Sequence, residues 1–133
     1  MAIQYSSTIY LARLDQVEVS TGASPLLRIF SGSQPANCAA ADSGTLLCTI
    51  TLPADWMNAA SGTTKTLLGT WSGTASAGSA ATPTHFRIWN SGATVCHVQG
   101  TSGIGSGDLQ VNGTITSGQT VTVSSFTLTA ANT

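Results

Sequence analysis

From residue 25 onward the chain is a series of short apolar runs, each broken off by a cluster of Gly, Ser, Pro or Asn, and this punctuation limits its folds more than any other feature. The runs lie at 26–30, 45–52, 66–71, 85–89, 94–99, 109–115 and 120–129. Each has the length of a strand, and strands bounded by turn residues at regular intervals are the pattern of a sandwich or barrel. The expected fold is all-β, a β-sandwich or jelly-roll-like single domain over 1–133, since 133 residues leave little room for a second core. Between the runs, 53–60 reads as one helical turn around Trp56 and Met57, and the Gly/Ala/Ser/Thr-rich stretch 72–83 reads as an exposed loop.

Upstream of residue 25 the texture differs. Ser7 and Thr8 precede Ile9, Leu11, Leu14 and Val17, a start signal and apolar spacing that suit a short N-terminal helix closed by Gly22. Val17 and Val19 alternate as a strand would, so the run also fits an extended reading. Residues 1–10 can stand as an N-terminal arm: Ile3, Tyr5, Ile9 and Tyr10 are apolar at a terminus, where an unattached segment is ordinarily polar. Either a partner or the domain's own core must cover them.

Two strands allow a finer reading. With Ser91-Gly92 as a two-residue hairpin loop, Phe86 faces His97 and Ile88 faces Val95, which makes that side the core candidate and sends Arg87 and Trp89 outward. A longer loop shifts the register and inverts the faces. In the last run Val121 and Val123 occupy odd positions while Phe126 and Leu128 occupy even ones, so a bulge at Ser124-Ser125 would bring all four to one core. The alternative is a strand buried on both faces.

Composition narrows the function classes. Only 7% of residues are charged and the net charge is -1, so the surface is built from Ser, Thr, Gly, Asn and Ala and carries no basic footprint for nucleic acid. Near-zero charge removes the repulsion that keeps monomers apart and suits a subunit that lives assembled. No apolar run spans a bilayer, and the first residues lack the pattern of a signal peptide. With only His85 and His97 as bases, and with Cys96 and His97 on opposite faces of one strand, a nucleophilic dyad is not expected. Asp42, Asp55 and Asp108 suit turns and caps, no His/Cys/acid spacing matches a metal site, and no cofactor motif occurs, so no enzyme is expected. Cys38, Cys48 and Cys96 read as buried thiols, with a Cys38–Cys48 bridge open if the two flank a folded-back loop.

Several segments carry a resemblance: Ala12-Arg13-Leu14-Asp15, Pro35-Ala36-Asn37-Cys38-Ala39-Ala40-Ala41-Asp42-Ser43-Gly44, Leu52-Pro53-Ala54-Asp55-Trp56-Met57, His85-Phe86-Arg87-Ile88 and Ser125-Phe126-Thr127-Leu128-Thr129-Ala130. On these the chain resembles small virion structural proteins of tailed bacteriophages and prophages. The resemblance implies a component of the phage particle, made in the bacterial host cytoplasm. The size and surface suit a capsid cement or decoration protein, with the major capsid protein and copies of itself as partners. Ile3, Tyr5, Ile9, Tyr10, Arg87 and Trp89 are the expected contact residues. The other reading is a tail, neck or fibre module that binds another tail protein or presents Trp side chains to a host-surface glycan.

Overall fold

Residues 7–10 of the expected arm belong to a helix, because the helical pattern starts at Ser7, and among the described residues everything after that helix is strand and loop. The computed structural model describes residues 3–76 and 80–133, so residues 1–2 of the arm and 77–79 of the 72–83 stretch lie outside the described residues. Helix α1 spans Ser7–Thr21, as the start and stop signals indicated: Gly22 takes φ 87° and donates its N–H to the Glu18 carbonyl. Strands follow as β1 (Leu26–Ser31), β2 (Thr45–Thr51), β3 (Thr64–Thr66), β4 (Ser72–Thr74), β5 (His85–Trp89), β6 (Cys96–Gly103), β7 (Leu109–Val111) and β8 (Thr120–Thr129). The chain is therefore all-β with one N-terminal helix.

The sheet runs β2-β1-β5-β6-β7-β8-β3, with β4 pairing β8 beside β3. All pairings are antiparallel except β6 with β7. The sheet curls until β4 meets β2: Cys48 and Ala75 form a bridge, and Ser76 donates its N–H to the Leu47 carbonyl at 2.8 Å. Inside the curl lie Leu27, Ile29, Cys48, Ile50, Phe86, Ile88, Leu109, Val111, Val121, Val123 and Phe126, all buried. A line of rings crosses this core, from Trp56 to Trp71 at 5.8 Å, Trp71 to Phe126 at 5.4 Å and Phe126 to Phe86 at 5.5 Å. Such pairs add about 0.5–1.5 kcal/mol each beyond the area they bury. Trp56 Nε1 donates to the Gly22 carbonyl at 3.1 Å and so ties the end of α1 to the core.

Three local expectations fare differently. The slip in β8 is a bulge: Ser125 pairs Gln110 and Val123 pairs Val111, which leaves Ser124 unpaired and buries Val121, Val123 and Phe126 together with half-buried Leu128. The helical turn at 53–60 is absent. Met57 instead bridges to Leu67, and Trp56 and Met57 are buried as core. The β5–β6 hairpin has a longer loop than two residues. Its last pair is Trp89 with Cys96, so Phe86 faces Gly100 and Ile88 faces Val98, while Val95 and His97 are exposed. Asn90 builds that loop, its side-chain oxygen accepting the Thr94 and Val95 N–H groups at 2.8 and 3.2 Å.

One loop adds a second layer. The β1–β2 connection folds back over the outer face of β1, β5 and β6, and its two feet, Gly32 and Gly44, touch. Gly44 has φ 78°, and a Cβ there would overlap the Ser31 carbonyl oxygen. Gly44→Ala is expected to cost about 2 kcal/mol through strain in the left-handed region and this clash. Urea unfolding checks it, and an unchanged midpoint would show that the crossing tolerates a side chain.

Candidate interaction surfaces

Helix α1 makes unusually little use of its length. Only Leu14 and Thr21 are buried, while Tyr10, Leu11, Val17 and Glu18 are half-buried. The opposite face carries Ile9, Ala12, Gln16 and Val19 at spacings of three and four, all exposed, with Val19 70% and Ile9 47% accessible. A helix that faces water ordinarily puts charge there. This one presents aliphatic and small side chains, with Arg13 at the margin. The arm before it continues the patch with Ile3, 69% accessible, and Tyr5, whose ring lies 5.1 Å from the Arg13 guanidinium.

The backbone of the arm is tied to its own chain. Tyr5 N–H donates to the Asn132 carbonyl at 2.6 Å, and the Asn132 side-chain amide donates to the Ile3 carbonyl at 3.0 Å. Ile3, Tyr5 and Ile9 are thus held in place with their side chains outward, whereas Tyr10 is partly tucked away.

Arg87 differs from its expectation. It does point to the outer face of the sheet, but the 32–44 loop covers it and its side chain is fully buried. The physical reason is a strap of hydrogen bonds. Arg87 Nη1 donates to Asp42 Oδ1 at 2.6 Å, and Nη2 donates to the Asn37, Cys38 and Ala40 carbonyls at 3.3, 2.9 and 2.9 Å. Arg28 adds a second pair to Asp42 at 3.1 Å, and Gln99 donates to the Pro35 carbonyl at 2.9 Å. Arg87 is therefore no contact residue but the anchor of a covering loop.

Trp89, also expected outward, is half-buried between two cations, with Arg28 at 5.2 Å and Arg87 at 5.1 Å from its ring. It borders a hollow of about 500 Å³ lined by Cys38, Ala39, Ala40, Ala41, Thr94, Val95 and Cys96. On β1, β5 and β6, Arg28 Nε, His85 Nε2, Arg87 Nε, Trp89 Nε1 and Gln99 Oε1 are buried without a hydrogen-bond partner among the described residues. Each such atom forfeits solvation, so this layer is costly to the fold. His85 stacks on Phe30 with centroids 5.0 Å apart, and burial holds its pKa below the ordinary histidine value.

A second buried cation escaped the sequence reading. Lys65, in β3, has a side chain 1% exposed whose ammonium donates to Asp15 at 2.8 Å, Glu18 at 2.9 Å and the Asn58 carbonyl at 2.9 Å. Asp15 and Glu18 stand three apart on α1 and so share a face. The hydrogen bond from Lys65, then that from Ala60 N–H, hold Asp15 below the usual carboxylate range. Burial alone would raise Glu18, but hydrogen bonds from Lys65 and Asp55 outweigh it and leave Glu18 lowered, while Asp55 is raised by the hydrogen bond it shares with Glu18. The signal in the sequence was the Asp15/Glu18 spacing together with the single lysine of the chain.

The remaining chemistry-bearing residues are dispersed. Cys96 is buried and His97 exposed, as neighbouring positions of a strand require. Asp108 accepts the Thr101 N–H and hydroxyl at 2.9 and 3.0 Å and serves the β6–β7 crossing. Cys48 sits in the core, away from Cys38, and all three cysteines are thiols, so the Cys38–Cys48 bridge does not form. Among the described residues no group of three His, Cys, Asp or Glu side chains could hold a metal ion, and no helix is long and apolar enough to cross a membrane. No protein-family model, curated protein or solved structure matches the chain.

Proposed function

We propose that the chain is a structural subunit of a tailed-phage particle, a cement protein that binds the major capsid lattice and copies of itself. The observation that carries this reading is the outward face of α1 and its arm, where Ile3, Tyr5, Ile9, Ala12 and Val19 stand uncovered beside Gln16 and Arg13 and the arm's backbone is tied to Asn132. A lightly charged Ser/Thr surface supports it, because such a surface loses little on being buried against a neighbour. The segment resemblance to small phage virion proteins supports reading that assembly as a phage particle. Binding only to the closed shell stabilises that shell by mass action.

The glycan-binding alternative needs two or three Trp rings on one open face. Trp56 and Trp71 lie in the core and Trp89 is half-covered between arginines, so that platform is missing.

Quantitative mass spectrometry of purified particles against the major capsid protein tests the reading. Copies on the order of hundreds per particle are expected of a cement protein, whereas a count near a single ring of about six or twelve would move the chain to the tail or neck. At the residue level, Ile9→Lys with Val19→Lys is expected to leave stability within about 0.5 kcal/mol, since both side chains face water. The same pair is expected to weaken capsid binding by at least about tenfold. Unaltered binding would remove the helix face from the interface.

A further inference from the structure

The 32–44 loop brings Cys38 to the rim of the hollow beside Trp89, and the β5–β6 pairing sets Cys96 in the wall of the same hollow. Arg87 fixes the first of these by holding the Cys38 carbonyl at 2.9 Å. The second is fixed by its pairing with Trp89 and by a contact of its thiol with the Val98 carbonyl at 3.5 Å. Both cysteines line this one hollow, on the loop side and the β6 side, near enough that the charge of each bears on the other. Cys48 lies within the core with its thiol turned to the Thr74 carbonyl at 3.5 Å, outside this arrangement.

The geometry points to Cys38 and Cys96 as an oxidisable pair, a disulfide site that fastens the covering loop to β6 when a low-molecular-weight disulfide is supplied. Cys38 is half-exposed and Cys96 buried, so the order of events is set by access. The Cys38 thiolate attacks one sulfur of glutathione disulfide, whose S–S bond breaks and releases one glutathione as its thiol. The Cys96 thiolate then attacks the Cys38 sulfur of the mixed disulfide and expels the second glutathione. Two protein thiols are oxidised and one disulfide is reduced to two thiols, with no net change in protons. Burial first, and then the neighbouring Cys38, push the Cys96 thiol up to about 11, so the second step is the slow one. The inference does not depend on the virion reading, since it rests only on the two thiols and the loop that carries one of them.

The test compares the reduced protein with protein held in millimolar glutathione disulfide, by non-reducing peptide mapping and thermal unfolding. The expected result is a peptide cross-linked through Cys38 and Cys96, with Cys48 still a thiol and with Tm raised by roughly 10 °C, because the bond closes a long loop. Cys48→Ser should retain both effects, and Cys38→Ser, at a half-exposed position, should lose both. Glutathione capping of Cys38 with Cys96 still reduced would overturn the proposal. So would a bridge to Cys48, or a cross-link that leaves Tm unchanged or lower.

Discussion

Replacing Arg87 with methionine is expected to cost about 3–5 kcal/mol, the range for removing one member of a buried ion pair. Methionine can fill much of the space of the arginine stem, but it leaves the Asn37, Cys38 and Ala40 carbonyls without their donor and Asp42 with only Arg28. Arg87→Lys should also be strongly destabilising, because one ammonium cannot present donors along two edges of a fork. Urea unfolding gives the magnitude and amide exchange gives the place. Protection at Ala39 and Ala40, whose N–H groups bond the Asn37 side chain at 2.9 and 3.0 Å, should fall first. A loss below about 1 kcal/mol with unchanged exchange over 32–44 would show that the loop holds itself.

The second large effect belongs to Lys65→Met, expected to cost about 3 kcal/mol at neutral pH. It lies at the lower end of that range because Asp15 and Glu18 are partly exposed, at 46% and 22%, and water can solvate them once the ammonium is gone. The pH dependence has a definite sign. Asp15 and Glu18 are lowered in the fold, so their contribution is present above their ordinary values of 3.8 and 4.5 and is lost as pH falls through the lower folded values. Lys65 is raised above its ordinary 10.5, so its share persists through neutral pH and is lost only as pH rises through the folded value. Asp55, raised and fully exposed, acts in the opposite direction at the acid end. The gap between wild type and Lys65→Met should therefore be widest near neutral pH and narrow in acid. A gap independent of pH would mean that Lys65 acts through its apolar stem alone.

The strands were readable where side chains alternate. His85–Trp89 and Thr120–Thr129 coincide with their apolar runs, and the odd-to-even slip in β8 located its bulge. Strand β4 was not readable, because Ser72-Gly73-Thr74 has no apolar residue. Its place in the fold depends on the small size of Gly73, where an added Cβ would lie 3.0 Å from the Ile50 side chain and 3.1 Å from the Thr49 carbonyl oxygen. For Arg87 and Trp89 alternation gave the correct face of β5, but it could not show that a loop 45 residues away in sequence covers that face. Ile3, Tyr5 and Ile9 were conspicuous as apolar residues at a terminus, but whether the domain's own core covers them was settled only by the fold, which leaves them exposed. The Lys65 cluster was not, because its acids are contributed by α1 and by the 53–60 segment and meet only when the chain has folded.

The central position of β8 bears on how the chain can be made. Strands β3, β4 and β7 all hydrogen-bond to residues 120–129, and β4 joins the two ends of the curl only while β8 holds it. On the ribosome the residues before β8 emerge with each of those three strands lacking its β8 neighbour and with the core rings Trp71 and Phe86 lacking Phe126. Folding must then wait until β8 is available to pair, on the slow timescale of non-local β topologies, ~milliseconds to seconds. During that interval the unpaired edges are open to neighbouring chains, so crowded copies of the chain would be most prone to aggregate before β8 has paired.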